Sequence, residues 1–513
     1  MGVNRLAAYP APAPEESATV LNSTFDPSAP CGRPARAFPA LAALAFVAPL
    51  GLAGCATSLA PPYQAPALPV PAVYGETARD LAGAAPPDWR SYFFDPQLRG
   101  LIERALTDNR DLRAALLRVE QARAAYRIER ADRVPSVDLG AAVTRDRTPA
   151  DLSLTRRPVV VTQWQAQLEL GWELDFWGRV RSLNDAALER YLATDAARRA
   201  VALTLVTQVA DAYLVLRELD QRLALARRTI ASREASWRIF ARREALGATS
   251  RLDLTQIQTL LAQAQSLGVQ LELSRAEQAH ALVLLIGAPI DVAPADEAVM
   301  DGAMMPDLDP GLPSALLANR PDIIAAEHRL RAANADIGAA RAAFFPRIAL
   351  TGALGTASDE LEGLFRGANR AWRFIPSLSL PIFDAGRNRA GLDLADTGRQ
   401  LAVADYERSI QVAFREVSDA LAARHWLAAQ IDIQQRALAA ESERARLAKL
   451  RYDHGAAAFL EVLDAQRDLL SAEQQLVQTR RLALSSRVAL YAALGGGTQD
   501  AATRSGWPAG PAR

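Results

Sequence analysis

The sequence predicts a mixed α and β membrane protein, built as a duplicated repeat of long coiled-coil helices with four strands per chain. Three observations lead to this fold class. The two halves of the chain align at a nearly constant offset, each half contains two segments in which apolar and polar residues alternate, and each half then continues for a long stretch without proline.

The duplication comes first, because a missed internal repeat changes the whole fold. Four pairs of landmark residues recur 211 positions apart in the first part of the repeat and 208 apart in the rest, namely Asp111 and Asp322, Pro135 and Pro346, Gly247 and Gly455, and Gly287 and Gly495. The second copy therefore lacks three residues between its two strand segments.

Each repeat is expected to begin with one helix that ends near a proline, over residues 97–133 in the first copy and 321–344 in the second. Two strands follow. The clearest is TQWQAQLELGWELDFW, residues 162–177, where strict alternation is typical of a strand with one apolar and one polar face. Weaker alternation marks the other three strands, around residues 137–144, 348–354 and 372–382.

A very long helix comes next in each repeat, since no proline lies between Pro158 and Pro289 or between Pro381 and Pro508. Over residues 180–245 such a helix would reach about 100 Å. A heptad seam, interrupted once by Arg424, predicts coiled-coil packing. Its positions are Ala202, Val209, Leu216, Leu223 and Ile230 with Leu205, Ala212, Leu219 and Ala226, and in the second copy Ile410, Val417, Ile431 and Leu438 with Ala413, Ala420 and Leu427. A glycine turn and a shorter return helix complete each repeat.

Residues 1–54 are predicted to be a signal peptide with an N-terminal extension over residues 1–30, which we attribute to a start codon assigned too early. Arg33 and Arg36 precede an apolar run that ends in LAGC at residues 52–55. That run is too short for a transmembrane helix. LAGC matches the lipobox of bacterial lipoproteins, so Cys55 is the predicted attachment site for lipid, including palmitate. The alternative is an ordinary secretory signal with an incidental cysteine. Ala56 after the cysteine favours the outer membrane.

The composition argues against several function classes. The formal net charge is zero, so nothing indicates a nucleic acid partner. Two cysteines are too few for a disulfide framework or a metal site, and the four histidines lack partners at ligand spacing. No glycine-rich phosphate loop precedes a helix. We therefore expect no enzyme activity and no cofactor beyond the covalent lipid on Cys55.

Four half-polar strands on one chain pose a physical problem. Nothing else in the sequence covers their apolar face, and open sheet edges are not tolerated in lipid. Three chains together would supply twelve strands, with apolar side chains outward and Gln, Glu and Asp side chains facing water. The alternative that alternation alone leaves open is a set of short soluble strands packed on the helices.

Several motifs resemble the TolC-type outer-membrane efflux factors, specifically the NodT-like lipoprotein branch that serves RND efflux systems. The motifs that carry the resemblance are Cys55 with its Pro-rich start, DWRSYFFDPQL at residues 88–98, NRDL at 109–112, WELDFWGR at 172–179, the block 320–352 and, most specifically, the block 451–497. The resemblance covers almost the whole chain after Cys55. It implies a homotrimer that forms a 12-stranded β-barrel in the outer membrane and an α-helical periplasmic tunnel.

The function that this resemblance implies is the outer-membrane channel of a tripartite efflux pump. The channel would be a passive duct for drugs or other small molecules, working with a periplasmic membrane-fusion adaptor and an inner-membrane RND-type transporter. The expected location is the bacterial outer membrane, with a lipid anchor and an extension into the periplasm. The alternative is a lipid-anchored periplasmic coiled-coil scaffold without conductance.

The resemblance places the two glycine turns at the periplasmic tip of the tunnel, where the adaptor docks. The residues of these turns are Gly247, Ala248 and Thr249 in the first repeat and Gly455, Ala456 and Ala457 in the second. Some relatives carry an arginine where Ala457 stands and use it to keep the tip shut, while Tyr452 is kept here as a residue associated with the gate.

The periplasmic constriction is carried over by motif onto Leu460, Glu461 and Asp464 of the sequence LEVLDAQ. Spacings of three and four residues place these side chains on one face of a helix. In a trimer each acid would form a ring of three carboxylates that hold cations. A solvated acidic helix face is the alternative interpretation of the same residues.

The predicted organisation has five parts. Residues 1–54 form the signal segment with its extension, 55–87 a lipidated Pro-rich linker, 88–300 the first outer-membrane-factor repeat, 301–497 the second repeat, and 498–513 a flexible tail.

Overall fold

A computed structural model describes residues 59–71, 74, 86–292, 304–311 and 313–497. The predicted signal segment, Cys55 and the C-terminal tail lie outside these residues. The helices are α1 (Trp89–Tyr92), α2 (Pro96–Asp108), α3 (Arg110–Ala131), α4 (Arg179–Ala245), α5 (Arg251–Ile286), α6 (Leu316–Asn319), α7 (Pro321–Ala342), α8 (Arg387–Asp453) and α9 (Phe459–Ala493). The strands are β1 (Ser136–Thr148), β2 (Val159–Leu174), β3 (Arg347–Ser358) and β4 (Arg370–Ser379).

Both halves of the chain follow the same order of a lead-in helix, two strands, a very long helix and a return helix. The long helices α4 and α8 contain 67 residues each, which corresponds to about 100 Å. The predicted long helices and four strands per chain are therefore confirmed.

The prediction of one continuous lead-in helix over residues 97–133 is wrong, because the chain breaks at Asn109 between α2 and α3. The Asn109 backbone is extended, its side-chain oxygen caps α3 by accepting from the Leu112 amide at 2.8 Å, and its Nδ2 donates to the Leu285 carbonyl at 2.7 Å. Arg320 stands at the matching break between α6 and α7, and its Nη1 donates to the Ala493 carbonyl at 3.0 Å. In each repeat this side chain ties the lead-in helix to the end of the return helix.

Each return helix ends on a glycine packed against that same break. Gly287 has φ +80° and Gly495 has φ +95°. A Cβ on Gly287 would lie 2.6 Å from the Asp108 carbonyl oxygen, and one on Gly495 would collide with the Asn319 carbonyl oxygen. Gly495 follows directly after α9 as a helix stop, and close packing adds a second reason for glycine at this position.

The strands form one antiparallel sheet in the order β1-β2-β3-β4. Because paired residues of antiparallel strands share a face, the register gathers the apolar side chains into rows. One row is Leu139, Leu168, Leu354 and Trp372 and the next is Val137, Leu170, Gly352 and Phe374. Gln163, Gln165, Gln167 and Glu169 fall on the opposite face. Strand β4 ends at Ser379, short of the predicted residue 382, because its partner β3 begins at Arg347, the residue that pairs with Ser379.

The apolar face of the sheet is uncovered in the single chain. Leu139 and Trp372 are each 79% exposed and Phe374 is 59% exposed. This finding contradicts a soluble sheet packed on the helices, since such packing would bury these side chains.

The helices form a wall. Near the sheet α3 contacts α4, and α7 contacts both α4 and α8; near the turns α5 contacts α4, α4 contacts α9, and α9 contacts α8, so α5 and α8 lie at the two edges there. The predicted seam is buried along α4 at Leu205, Val209, Ala212, Leu216, Leu219, Leu223 and Ala226. In α8 it is buried in the N-terminal half, at Ile410, Ala413, Val417 and Ala420. The interruption at Arg424 has a structural reason, because its Nη1 leaves the seam and donates to the Leu308 carbonyl at 3.0 Å.

We predict that Gly495→Ala lowers the free energy of unfolding by at least about 2 kcal/mol, since a side chain at positive φ is strained and this one also meets backbone. Thermal unfolding followed by circular dichroism in detergent measures the effect. The matched control is Gly391→Ala within α8, where a Cβ meets nothing within 4 Å. This control should be neutral or stabilising by up to about 1 kcal/mol. Equal stability of the two variants would contradict the packing argument.

Candidate functional site at the helical tip

The two glycine turns at the ends of α4 and α8 have the same backbone geometry. Gly247 has φ +70° and its amide donates to the Glu244 carbonyl at 2.9 Å, while the Ala248 amide donates to the Arg243 carbonyl at 2.8 Å. Gly455 has φ +73°, and the Gly455 and Ala456 amides donate to the carbonyls three and five residues earlier at 2.9 and 2.8 Å. Both turns are Schellman motifs that require glycine at the left-handed position. Gly247, Ala248, Gly455 and Ala456 are exposed, and Thr249 and Ala457 are half-buried.

The helices that leave the two turns begin differently. In α5, Ser250 and Asp253 form a capping box, in which the Ser250 hydroxyl accepts from the Asp253 amide at 3.1 Å and the Asp253 carboxylate accepts from the Ser250 amide at 3.3 Å. In α9 the equivalent residue is Ala458, which provides no side-chain hydrogen bond. An alanine N-cap costs about 1 kcal/mol relative to serine. The second turn is therefore followed by the weaker helix start.

An aromatic cluster joins the two turns within one chain. Phe240 of α4 lies 4.4 Å from Phe459 of α9 between ring centroids, and Tyr452 lies 4.9 Å from Phe459. Ile257 and Leu463 are buried in the same cluster. The Arg243 Nη1 donates to the Tyr452 hydroxyl at 2.7 Å. Tyr452 is thus bound to the other repeat of its own chain, and its contacts couple the second turn to the first.

The predicted constriction residues lie on the exposed side of α9. Leu460 is 44% exposed, whereas Val462 and Leu463 between the constriction residues are buried against α8 and the aromatic cluster. The face shared by Leu460, Glu461 and Asp464 is therefore free to meet a lumen or a partner.

Each acid on this face has an arginine partner from the same chain. Arg451 holds Glu461 across the turn at 2.6 Å, and Arg467 lies 3.3 Å from Asp464. Asp468 is shared by Arg444 at 2.9 Å and Arg467 at 3.0 Å. The hydrogen bonds from Arg444 and Arg467 hold the pKa of Asp468 below its usual range. The acidic side chains at the tip therefore form a set of exposed ion pairs, each of which contributes little to stability, rather than a purely anionic surface.

Within the described ranges, no group of three or more His, Cys, Asp or Glu side chains is arranged to hold a metal ion.

The model of the family described as outer membrane efflux protein matches residues 101–288 and 312–496. Outer membrane protein OprJ of Pseudomonas aeruginosa is 47% identical over 469 residues, covering 90% of this chain and 97% of that protein. The toluene efflux pump outer membrane protein TtgF of Pseudomonas putida is 44% identical over 467 residues, covering 88% of this chain and 96% of that protein.

The chain belongs to the outer membrane efflux protein family. The open state of the Neisseria gonorrhoeae MtrE outer membrane channel superposes with a TM-score of 0.78 at 36% identity, covering 86% of this chain and 99% of that one. The resemblance to efflux factors, the outer-membrane location and the efflux channel function are thereby confirmed. These relatives give no support to the scaffold alternative.

In this outer membrane efflux protein, the motifs located both turns, the constriction face and Tyr452, while their assigned roles stay predictions. Cys55 lies outside the described residues. Sequence reasoning missed the aromatic cluster and Arg243. A usable signal was present, since Phe240 and Phe459 bring aromatic side chains close to both turns in a chain with only 6% aromatic residues. It also missed the arginine partners of the acids, although Arg467 stands three residues after Asp464.

We predict that Ala458→Ser stabilises the start of α9 by about 1 kcal/mol, because the new hydroxyl can cap the helix opposite Glu461 at its third position. Hydrogen–deuterium exchange should show about fivefold higher protection of the first-turn amides. Ala456→Ser in the exposed turn is the matched control and should leave this protection unchanged. Equal protection in both variants would refute the capping argument.

Acid should weaken the start of α5. The hydrogen bonds from the Ser250 and Thr249 hydroxyls lower the pKa of Asp253, so its folded-state value lies below the unfolded value of about 3.9. The capping box then contributes stability at neutral pH that is lost as the pH falls through the folded-state pKa. Protection factors of the first-turn amides at pH 7 and pH 3 test this, and Asp253→Asn should remove most of the difference. A pH dependence that survives in this variant would contradict the assignment.

Proposed function

We propose that three copies of this chain close into a twelve-stranded barrel that continues as a helical tube, forming a passive duct for efflux. One observation carries the proposal, namely an open sheet whose apolar face is exposed and whose edge strands β1 and β4 have no neighbour within the described residues. Unpaired edges cannot exist in hydrocarbon. Because four antiparallel strands place β1 and β4 in opposite directions, β4 of one copy can pair antiparallel with β1 of the next, as closed barrels require.

The helical wall supports the same closure. Its edge helices α5 and α8 belong to the same repeats as the edge strands β1 and β4, respectively. Both carry exposed apolar side chains that a neighbouring copy would cover, including Leu252, Val269, Leu273 and Leu284 on α5 and Leu394, Leu401, Trp426 and Ile433 on α8. Twelve strands and twelve long helical segments then form one continuous wall.

The interior of this barrel is polar. The face opposite the apolar rows carries Gln163, Gln165, Gln167 and Glu169 of β2, so the lumen would hold water rather than lipid. Such a lumen suits the diffusion of drugs or other small molecules and does not itself supply energy. We assign the energy to an inner-membrane RND-type transporter and the connection to a periplasmic membrane-fusion adaptor.

The tip suits docking of that adaptor and control of the opening. Exposed turns around Gly247 and Gly455 offer two similar surfaces per chain, or six per trimer. The uncapped α9 carries Leu460 and Asp464 on its free face, and we place the constriction there. The ion pair of Glu461 with Arg451 joins α9 to α8 and would have to rearrange if these two helices moved apart, whereas Asp464 and Arg467 both lie on α9 and would move together.

The linker supports a lipid anchor on Cys55. The Arg341 Nη1 donates to the Leu59 carbonyl at 3.2 Å, and Asn334 Nδ2 donates to the Pro61 carbonyl at 2.7 Å. Farther along, Tyr63 donates to Glu327 at 3.2 Å. The linker therefore runs along α7 from the end nearest the sheet toward its N-terminus. Leu59 lies at the sheet end, and a lipid on Cys55, four residues earlier, would be needed on that side because the sheet lies in the membrane.

Conductance separates the duct from the scaffold alternative. Purified full-length chain should run as a heat-modifiable trimer and conduct ions in planar bilayers. If the protein forms trimers but gives no current, even after Asp464→Ala, the result would support the scaffold alternative instead of the duct.

Asp464→Ala should raise single-channel conductance several-fold, because it removes a carboxylate and its ion pair with Arg467 from the proposed constriction, while Arg467 stays bound to Asp468. Glu443→Ala is the matched control, since this exposed acid on α8 pairs only locally with Arg446 at 2.7 Å. Its current should equal that of the wild type. An unchanged current in Asp464→Ala would remove Asp464 from the gate.

A further inference from the structure

The outward face of the sheet changes from apolar to basic toward its hairpin end. On β1 the apolar series through Leu139 and Val143 continues at the same two-residue spacing with Arg145 and Arg147. The register places Arg145 opposite Thr162 and Arg147 opposite Val160, on the same face as Trp164. Both guanidinium groups therefore follow directly on the apolar band.

The same change occurs on the other edge strand. Arg370 of β4 pairs with Thr356 and lies two residues before Trp372, so it shares the outward face with that tryptophan. The central strands are uncharged at these levels, where they carry Val160, Thr162, Thr356 and Ser358. Basic side chains on this face are thus confined to β1 and β4.

These three arginines are exposed, and none has an ion-pair partner in the part of the chain that the structure describes. About half of the arginines in the helices, by contrast, pair with carboxylates of the same chain, as Arg451 does with Glu461. The acid next to them, Asp146, pairs with Val161 and so points to the opposite face. Three uncompensated positive charges therefore remain on the outward surface.

The height of Arg145 and Arg147 matches the edge of a hydrocarbon layer. From Leu174 to Trp164 the apolar side chains of β2 cover ten residue steps, or about 33 Å along the strand. With the tilt of about 40° found in membrane barrels, this spans about 25 Å, the usual height of the apolar band. Arg145 and Arg147 lie one and two rows beyond Trp164, at the level of lipid headgroups. Arg370 lies one row inside Trp164, on the row of Ala166 and Thr356, and its long side chain can extend along the apolar surface so that the guanidinium group reaches the headgroups.

We propose that Arg145, Arg147 and Arg370 bind the phosphate groups of anionic lipid headgroups in the outer leaflet. This rests on the proposed barrel, in which β4 of one copy lies beside β1 of the next, so the three arginines gather at each seam between copies. Guanidinium groups bind phosphate through two parallel hydrogen bonds. The ligand that fits an apolar face topped by three such groups is a phosphorylated lipid whose acyl chains lie against the seam.

The test uses the purified full-length trimer in detergent, incubated with a bisphosphorylated acylated glucosamine lipid or with its dephosphorylated form. Native mass spectrometry counts the lipids retained per trimer. The phosphorylated lipid should be retained and the dephosphorylated form should not. The combined variant Arg145→Gln, Arg147→Gln and Arg370→Gln should reduce the affinity for the phosphorylated lipid roughly 100-fold, from the usual contribution of each basic side chain at a charged lipid surface.

The matched pair is Arg370→Gln and Arg373→Gln, since Arg373 pairs with Ala353 on the lumen side of the same strand. Only Arg370→Gln should weaken retention. Equal retention of both lipids by the wild type, or equal loss in both single variants, would overturn the proposal. Heat-modifiable trimers and ion conductance are measured on the same samples. Loss of the trimer in the wild type would contradict the proposed barrel, whereas weak lipid retention by an intact conducting trimer would contradict only the lipid site.

Discussion

The absence of hydrogen-bonding partners in hydrocarbon is the constraint on which this molecule depends. A sheet of four strands leaves two rows of backbone donors and acceptors unpaired at β1 and β4, and its apolar face is uncovered. Adding strands within the chain would solve this, yet the sequence devotes its length to helices instead. The remaining solution is closure between copies. The first repeat supplies the edge strand β1 and the edge helix α5, and the second supplies β4 and α8, so the same neighbouring copies can close both the sheet and the helical wall.

The duplication explains why the two repeats can share geometry and differ in role. Asn109 and Arg320 stand at equivalent helix breaks and donate to carbonyls near the ends of the return helices. Gly287 and Gly495 pack against the same two breaks. At the tips the backbone remains equivalent while the chemistry diverges, because one turn has a capping box and the other has Ala458 with a cluster of ion pairs. Because the two turns have the same backbone geometry, their side chains can differ without a change in the fold.

Much of the fold could be predicted from the sequence because its signals are local and repeated. Alternation in β2, the heptads of α4 and the glycine turns each depend on neighbours within a few residues. The break at Asn109 could not be predicted in this way, since its Nδ2 binds a carbonyl 176 residues away. The tip was located by motif, but its aromatic cluster joins Phe240 to Phe459 across two repeats. The capping box of Ser250 and Asp253 is a local signal that was not predicted, although both residues lie within one turn.

The path of the linker has a consequence for the order of assembly. Leu59, Pro61 and Tyr63 bind to Arg341, Asn334 and Glu327, and Tyr74 stacks on Phe414 at 5.0 Å between ring centroids. Each of these contacts joins the beginning of the chain to its second repeat, more than 260 residues later. Such long-range contacts form late, because the intervening chain must first be delivered and closed into a loop. The linker therefore cannot make these contacts before the second repeat has folded, so its docking is a late step of folding.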